Sequence, residues 1–276
     1  RYLPGIGLPA RGKREIRIEP AYPESPVALK VAESPGAPRP ASGTDQRDSG
    51  VTASDPMARG SDDGKRVLAL AIVVLFVVAF WSAFEQSGSS MNLFADKHTN
   101  RMIGNFLVPA SWFQVVNAGF ILILAPIFAL LWRKLDTRGR EPSTPMKMVF
   151  GLALLGAGFL FMVIGGRMAD KGVLVGPFWL IATYFLHTTG ELCLSPVGLS
   201  YVTKVAPMRL ASLLMAGWFL ANGAGNKIAG LLAALSAQMP NGSFYMIFVA
   251  TSITAAVLLY LLVPTINRLT AGARLS

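Results

Sequence analysis

Apolar residues in this chain gather into six blocks, each close to the roughly 20 residues an α-helix needs to cross about 30 Å of hydrocarbon. The first begins abruptly at Val67, where VLALAIVVLFVVAFWSAF and its polar continuation EQSGSS predict a helix over about 66–88. A polar stretch, ADKHTNRMIGN, follows. SWFQVVNAGFILILAPIFALLW predicts the second helix, closed by the charged run RKLDTRGREPSTP, and Pro126 within it predicts a kink. Four more are expected over about Met146–Gly165, Phe178–Val205, Ala211–Ala237 and Phe244–Asn267. The pattern is that of an all-α integral membrane protein.

Ahead of these blocks the pattern changes. Residues 1–66 hold 9 of the 18 prolines, 11 of the 25 Lys and Arg and 9 of the 15 Asp and Glu, in runs such as ESPGAPRPASGTDQRDSG. Such a segment buries too little apolar surface to offset its ordering entropy, so a disordered interdomain linker is expected. The expected organisation is this linker over 1–66, a six-helix bundle over 67–267 and a tail over 268–276. The chain opens RYLPGIGLPARGKREIRIEP, with neither an initiating methionine nor an apolar core, so no signal peptide is expected and a fragment boundary is.

Composition agrees with a membrane class, at 53% apolar and 14% charged residues and a mean hydropathy of +0.49. The net charge of +10 is distributed between the apolar spans and not over one face of a domain, which argues against a nucleic-acid partner. Lys and Arg accumulate on the cytoplasmic side of membrane proteins. Arg133, Lys134, Arg138, Arg140, Lys147, Lys204, Arg209, Arg268 and Arg274 share one side, with Arg59, Lys65 and Arg66 just before the first helix. Lys97, Arg101, Arg167 and Lys171 lie opposite, so both termini are expected in the cytoplasm of a cell (inner) membrane protein. A single cysteine, Cys193, excludes a disulfide framework and a cysteine zinc site.

An ionisable side chain deep in a bilayer is costly, which makes each one a functional candidate. Three qualify: Glu85, Glu191 and Lys227. Glu85 sits near the far end of the first helix with Trp81 one turn before it, and reads either as a proton carrier or as a carboxylate already in interfacial water. Glu191 lies mid-helix between Gly190 and Pro196, and Pro196 removes a backbone hydrogen bond there. Bent helices at the midplane are where transporters hold substrate, so Glu191 reads as the partner of a cationic group such as an amine, or as a carboxylate locked by an internal neighbour. Lys227 either lines the same cavity or extends to a headgroup; the small residues around it suit close helix packing. His187 and Glu191 are four apart, yet the only other histidine, His98, is in a polar loop, so no metal site is expected. Ser195 lacks a G-x-S-x-G elbow and an orienting acid other than Glu191, so no enzymatic role is expected.

FWSAFEQSGSSMNLFAD, FQVVNAGFILILAPIFALLW, GELCLSPVGLSYVTKVAP and WFLANGAGNKIAG, in this order, closely resemble the carboxy-terminal bundle of the proton-dependent oligopeptide transporters, a branch of the major facilitator superfamily. The resemblance covers about 67–267 and implies the C-terminal half of a twelve-helix major facilitator fold. It implies proton coupling at Glu85, peptide binding by Glu191, Asn117, Trp81, Trp218 and Ser195, no cofactor, and inward movement of di- and tripeptides with protons by alternating access. Glu191 then receives the peptide's amino terminus. The family's amino-terminal motifs, including E-x-x-E-R, are absent, so the implied partners are short peptides, protons, lipid and an N-terminal six-helix half, without which no transport is expected. The other readings are a facilitator for nitrate or a drug-like cation, or a non-transporting membrane fragment or scaffold.

Overall fold

The structure is a computed structural model that describes residues 56–271, with side chains described from Asp62 onward. The linker expected over 1–66 therefore lies outside the described residues up to position 55, and so does the tail beyond Ala271. Among the described residues there are seven α-helices: α1 (Pro56–Phe84), α2 (Ser90–His98), α3 (Trp112–Asp136), α4 (Thr144–Ala169), α5 (Phe178–Val205), α6 (Ala211–Ala233) and α7 (Asn241–Leu269). The first starts at Pro56, ahead of the expected boundary at 66, because nothing in MARGSDDGK stops a helix once the apolar block has nucleated it.

Among the described residues, four segments are long and apolar enough to cross a membrane: Asp62–His98, Trp112–Asp136, Thr144–Ala169 and Asn241–Leu269. α5 and α6 are of comparable length, 28 and 23 residues, but Glu191 and His187 in one and Asn222, Asn226 and Lys227 in the other lower their apolarity. α3 runs unbroken through Pro126.

α4 is the central helix, packed along α5 on one side and α7 on the other, while α1 packs along α6. Met148, Leu152, Leu155, Phe159 and Met162 of α4 are all fully buried, the i, i+3, i+4 stripe that interdigitates with facing helices. In lipid, close approach of backbones takes the place of the hydrophobic drive between helices. Gly151 and Gly190 supply it for α4 and α5: a Cβ on Gly190 would lie 2.7 Å from the Gly151 carbonyl oxygen. At the other end, Asp170 closes α4 onto α7. Its Oδ1 accepts from the Asn241 backbone N–H at 2.8 Å and its Oδ2 from Gly242 N–H at 2.9 Å, satisfying two of the orphan donors that begin α7. α3 meets the bundle chiefly through α5, and Phe113 is its one buried residue.

Two elements were not legible in advance. α2 occupies part of what reads as a polar stretch; its buried Met91, Phe94 and Ala95, at helical spacing, dock it on α7, where Phe94 meets Tyr245 edge-on at 5.8 Å. Between α2 and α3 a short antiparallel hairpin pairs Met102–Ile103 (β1) with Phe106–Leu107 (β2), turning at Gly104, whose positive φ favours glycine.

Candidate functional site

α1 ends at Phe84, and a single 3-10 turn, Glu85–Gly88, leads into α2. That turn is held from several sides. Gln86 is fully buried; its Nε2 donates to the Ala229 carbonyl of α6 at 3.0 Å and its Oε1 accepts from Ser90 Oγ at 2.7 Å. The Tyr184 hydroxyl donates to the Ser87 carbonyl at 3.3 Å and the Tyr245 hydroxyl to the Ser90 carbonyl at 3.2 Å. Buried polar groups satisfied this completely position a turn sharply, so Glu85 takes its direction from neighbours on α5, α6 and α7.

The half-buried Glu85 faces the side chain of Asn226 on α6. With its amide nitrogen turned toward the carboxylate, Asn226 donates to Oε1 at 3.2 Å and to Oε2 at 3.1 Å. A second acid and amide meet on α5 and α3. Asn117 Nδ2 donates to Glu191 Oε2 at 3.3 Å and to Thr188 Oγ1 at 3.1 Å, and the Thr188 hydroxyl donates onward to the Tyr184 carbonyl at 2.7 Å. Glu191 is half-buried as well. The ion pairs among the described residues are Lys65–Asp62, Arg101–Asp96, Lys147–Glu141 and Arg209–Asp63, and neither Glu85 nor Glu191 takes part in them. Only neutral donors orient either carboxyl group among the described residues.

α1 and α6 each contribute one buried tryptophan. Trp81 is buried, edge-on to Phe80 and Phe84 at 5.6 and 5.2 Å, and its indole N–H has no acceptor among the described residues. It packs on Gly225 of α6, where a Cβ would lie 2.6 Å from its own. Trp218, also buried, lays its ring over Gly198 of α5 so closely that a Cβ there would overlap it. Ser195 is half-buried one turn beyond Glu191, and Lys227 is exposed beside Asn226. His187 is packed in apolar surroundings, its ring centroid 4.5 Å from that of Phe159 and 6.2 Å from that of Phe84. Among the described residues no three His, Cys, Asp or Glu are grouped to hold a metal ion.

A cavity of about 730 Å³ lies elsewhere, between α3, the α3–α4 loop and the adjoining ends of α4 and α5. Leu192, whose carbonyl loses its helical donor to Pro196, lines it together with Pro196, Trp132, Glu141, Lys147 and Lys204, whereas Glu85 and Glu191 do not. Asn226, Asn222, Thr188 and Gln86 escaped the sequence reading, in which residues of the spans were singled out as ionisable groups or through the family resemblance. The available signal was Trp218, Asn222 and Asn226 at intervals of four on one face of an apolar helix.

The family model described as the POT family matches residues 49–250. The chain belongs to the POT family. A relative in that family, the peptide transporter YePEPT of Yersinia enterocolitica subsp. palearctica, is 41% identical over 208 residues, covering 73% of this chain and 41% of the relative. The di-/tripeptide transporter of Lactococcus lactis subsp. cremoris is 31% identical over 218 residues, 78% of this chain and 44% of the relative. Among solved structures, a peptide transporter POT mutant in complex with alafosfalin superposes with a TM-score of 0.69 at 34% identity, over 76% of this chain and 42% of that one. The chain thus spans less than half the length of these POT relatives. POT transporters are membrane proteins, in keeping with the apolar helices found here.

Proposed function

We propose that this chain is the carboxy-terminal six-helix half of a POT transporter and that, joined to an amino-terminal six-helix half, it takes up di- and tripeptides with protons by alternating access. In this reading all six long helices, α5 and α6 included, span the cell membrane with both termini in the cytoplasm. The relatives named for peptide transport support the substrate class.

One observation carries the assignment of the binding site: Glu191 is held by Asn117, which also bonds Thr188, without an ion-pair partner among the described residues. A carboxylate so fixed and uncompensated suits an incoming ammonium group, the peptide's amino terminus. Asn117 and Ser195 flank it, and Trp81 and Trp218 shape the apolar surroundings of the peptide side chains. Glu85, on its separately buttressed turn, carries the proton. Lys227, exposed beside Asn226, is assigned to the lining of the same cavity.

The test is Glu191→Gln in the complete transporter, assayed by binding of short peptides with free and with acetylated amino termini. A hydrogen bond to a charged group contributes about 1.5–3 kcal/mol, so affinity for the free peptide should fall roughly ten- to 150-fold while the blocked peptide changes little. Equal losses for both would remove Glu191 from this role.

A further inference from the structure

We propose that Asn226 and Asn222 form a hydrogen-bond relay whose amide orientations follow the protonation state of Glu85 and pass it along α6 to Trp218. The inference rests on the proton-carrying role of Glu85 proposed above. It adds the device by which that proton is sensed at the level of the peptide.

The Asn226 amide stands between two partners. On one side are both oxygens of Glu85, at 3.2 and 3.1 Å; on the other is the Asn222 side-chain amide, at 3.1 Å. An amide has one accepting and one donating end, so it cannot offer nitrogen to both neighbours. With nitrogen toward Glu85 it donates to an ionised carboxylate, and its oxygen then requires a donor from Asn222. With oxygen toward Glu85 its nitrogen donates to Asn222 Oδ1, and the oxygen facing Glu85 is left against another acceptor unless the carboxyl carries a proton. The ionised acid selects the first orientation and the neutral acid the second. Reversal of Asn226 obliges Asn222 to reverse as well, since otherwise two acceptors or two donors meet between them.

Chemically the step is small. A proton from water reaches a Glu85 oxygen and later leaves by the same route; the amides rotate and exchange no proton. Asn226 is exposed and Asn222 half-buried, which leaves both room to turn. The groups around Glu85 are compatible with a relay in this direction. From α5 come Glu191, Tyr184, committed to the Ser87 carbonyl, and His187, its ring 6.2 Å from that of Phe84. From α7 comes Tyr245, committed to the Ser90 carbonyl, and from α6 the exposed Lys227. Asn226 is the amide in hydrogen-bond contact with the acid.

The relay also has a destination. Trp218, Asn222 and Asn226 succeed one another at intervals of four on one face of α6, and the Trp218 ring lies on Gly198 of α5, two turns beyond Glu191. A change at Glu85 is thereby delivered where α6 touches the helix that carries the peptide-binding acid.

Infrared difference spectroscopy tests the first half of the relay on this chain in lipid, with asparagine side-chain carbonyls carbon-13 labelled. Titrating Glu85 should shift a labelled band, and this part of the shift should be lost in Glu85→Gln and in Asn226→Leu, leaving only what Asn117 beside Glu191 and Asn241 beside Asp170 contribute. A band that stays fixed in the unsubstituted chain, or a shift no smaller in Glu85→Gln or in Asn226→Leu, overturns the relay. The second half is read in the complete transporter from dialanine affinity on either side of the Glu85 titration. Coupled sites typically differ by about fivefold or more, and that difference should collapse to below about twofold in Asn222→Leu, which leaves the contact between Glu85 and Asn226 intact. Retention of the full difference in Asn222→Leu, while Glu85→Gln abolishes it, overturns the relay and leaves the proton role standing. PH-driven accumulation that persists in Glu85→Gln overturns the proton role itself.

Discussion

Gly225→Ala is a sharp test of how α1 and α6 hold the site together. A Cβ at position 225 would lie 2.6 Å from Trp81 Cβ, 3.1 Å from Ser82 N and 3.2 Å from the Trp81 carbonyl carbon. Two of those three atoms are main chain, so no rotamer change relieves the overlap. Ordinary carbon contacts begin near 3.5 Å, and the helices must part by roughly 1 Å to restore them. Overpacking of this kind costs about 1–3 kcal/mol. The parting also stretches the 3.0 Å bond from Gln86 to the Ala229 carbonyl and the contact between Asn226 and Glu85. At roughly 2–4 °C per kcal/mol for a chain of this size, thermal unfolding in detergent, followed by tryptophan fluorescence, should fall by about 2–12 °C. Gly230→Ala on the same helix is the control, because a Cβ there meets nothing within 4 Å. Exchanging glycine for alanine in an open helical position gains up to about 1 kcal/mol, so its unfolding temperature should hold or rise. The close approach of α1 and α6 is refuted if Gly225→Ala unfolds like the unsubstituted chain, or if Gly230→Ala falls by as much.

Asp170 gives a pH dependence outside the spans. Partial burial pushes its carboxyl up, but the Gly242 N–H, the Asn241 amide and N–H and the nearby His98 outweigh this and hold it below the ordinary value of 3.8. Stability from this link is complete above that value and is lost as the pH falls through the folded-state value. Asp170→Asn should lower stability by about 0.5–1 kcal/mol at neutral pH, at the low end for a cap because the side chain is exposed, and should flatten the acid limb of an unfolding-against-pH curve. An unchanged acid limb would refute the link. Glu141→Ala should cost about 1–3 kcal/mol in the same unfolding assay, since it strands the buried Lys147 ammonium with only the Trp132 ring, 4.5 Å away, as partner. Lys147→Met, which removes the buried charge itself, should cost less than Glu141→Ala, and the reverse order would contradict that ion pair.

The positions of the long helices follow from local chemistry. A block of some 20 apolar residues is helical whatever its neighbours, since in hydrocarbon its backbone groups have no other partners. α5 was expected over Phe178–Val205 and is found there. The acids Glu85 and Glu191 stood out for a related reason, being rare in such blocks. Their partners did not stand out. Asn226 and Asn117 are 141 and 74 residues away from the acids they touch, and an uncharged amide in an apolar helix carries no mark of which carboxylate it will meet. α2 was hidden too, because its apolar positions matter only once α7 offers Tyr245 to pack on. One-dimensional hydrophobicity thus determined which segments form long apolar helices and which side chains stand out within them. Only the packing of α1 on α6 and of α4 on α5 and α7, set by where glycines let backbones touch, decided which of those side chains face one another.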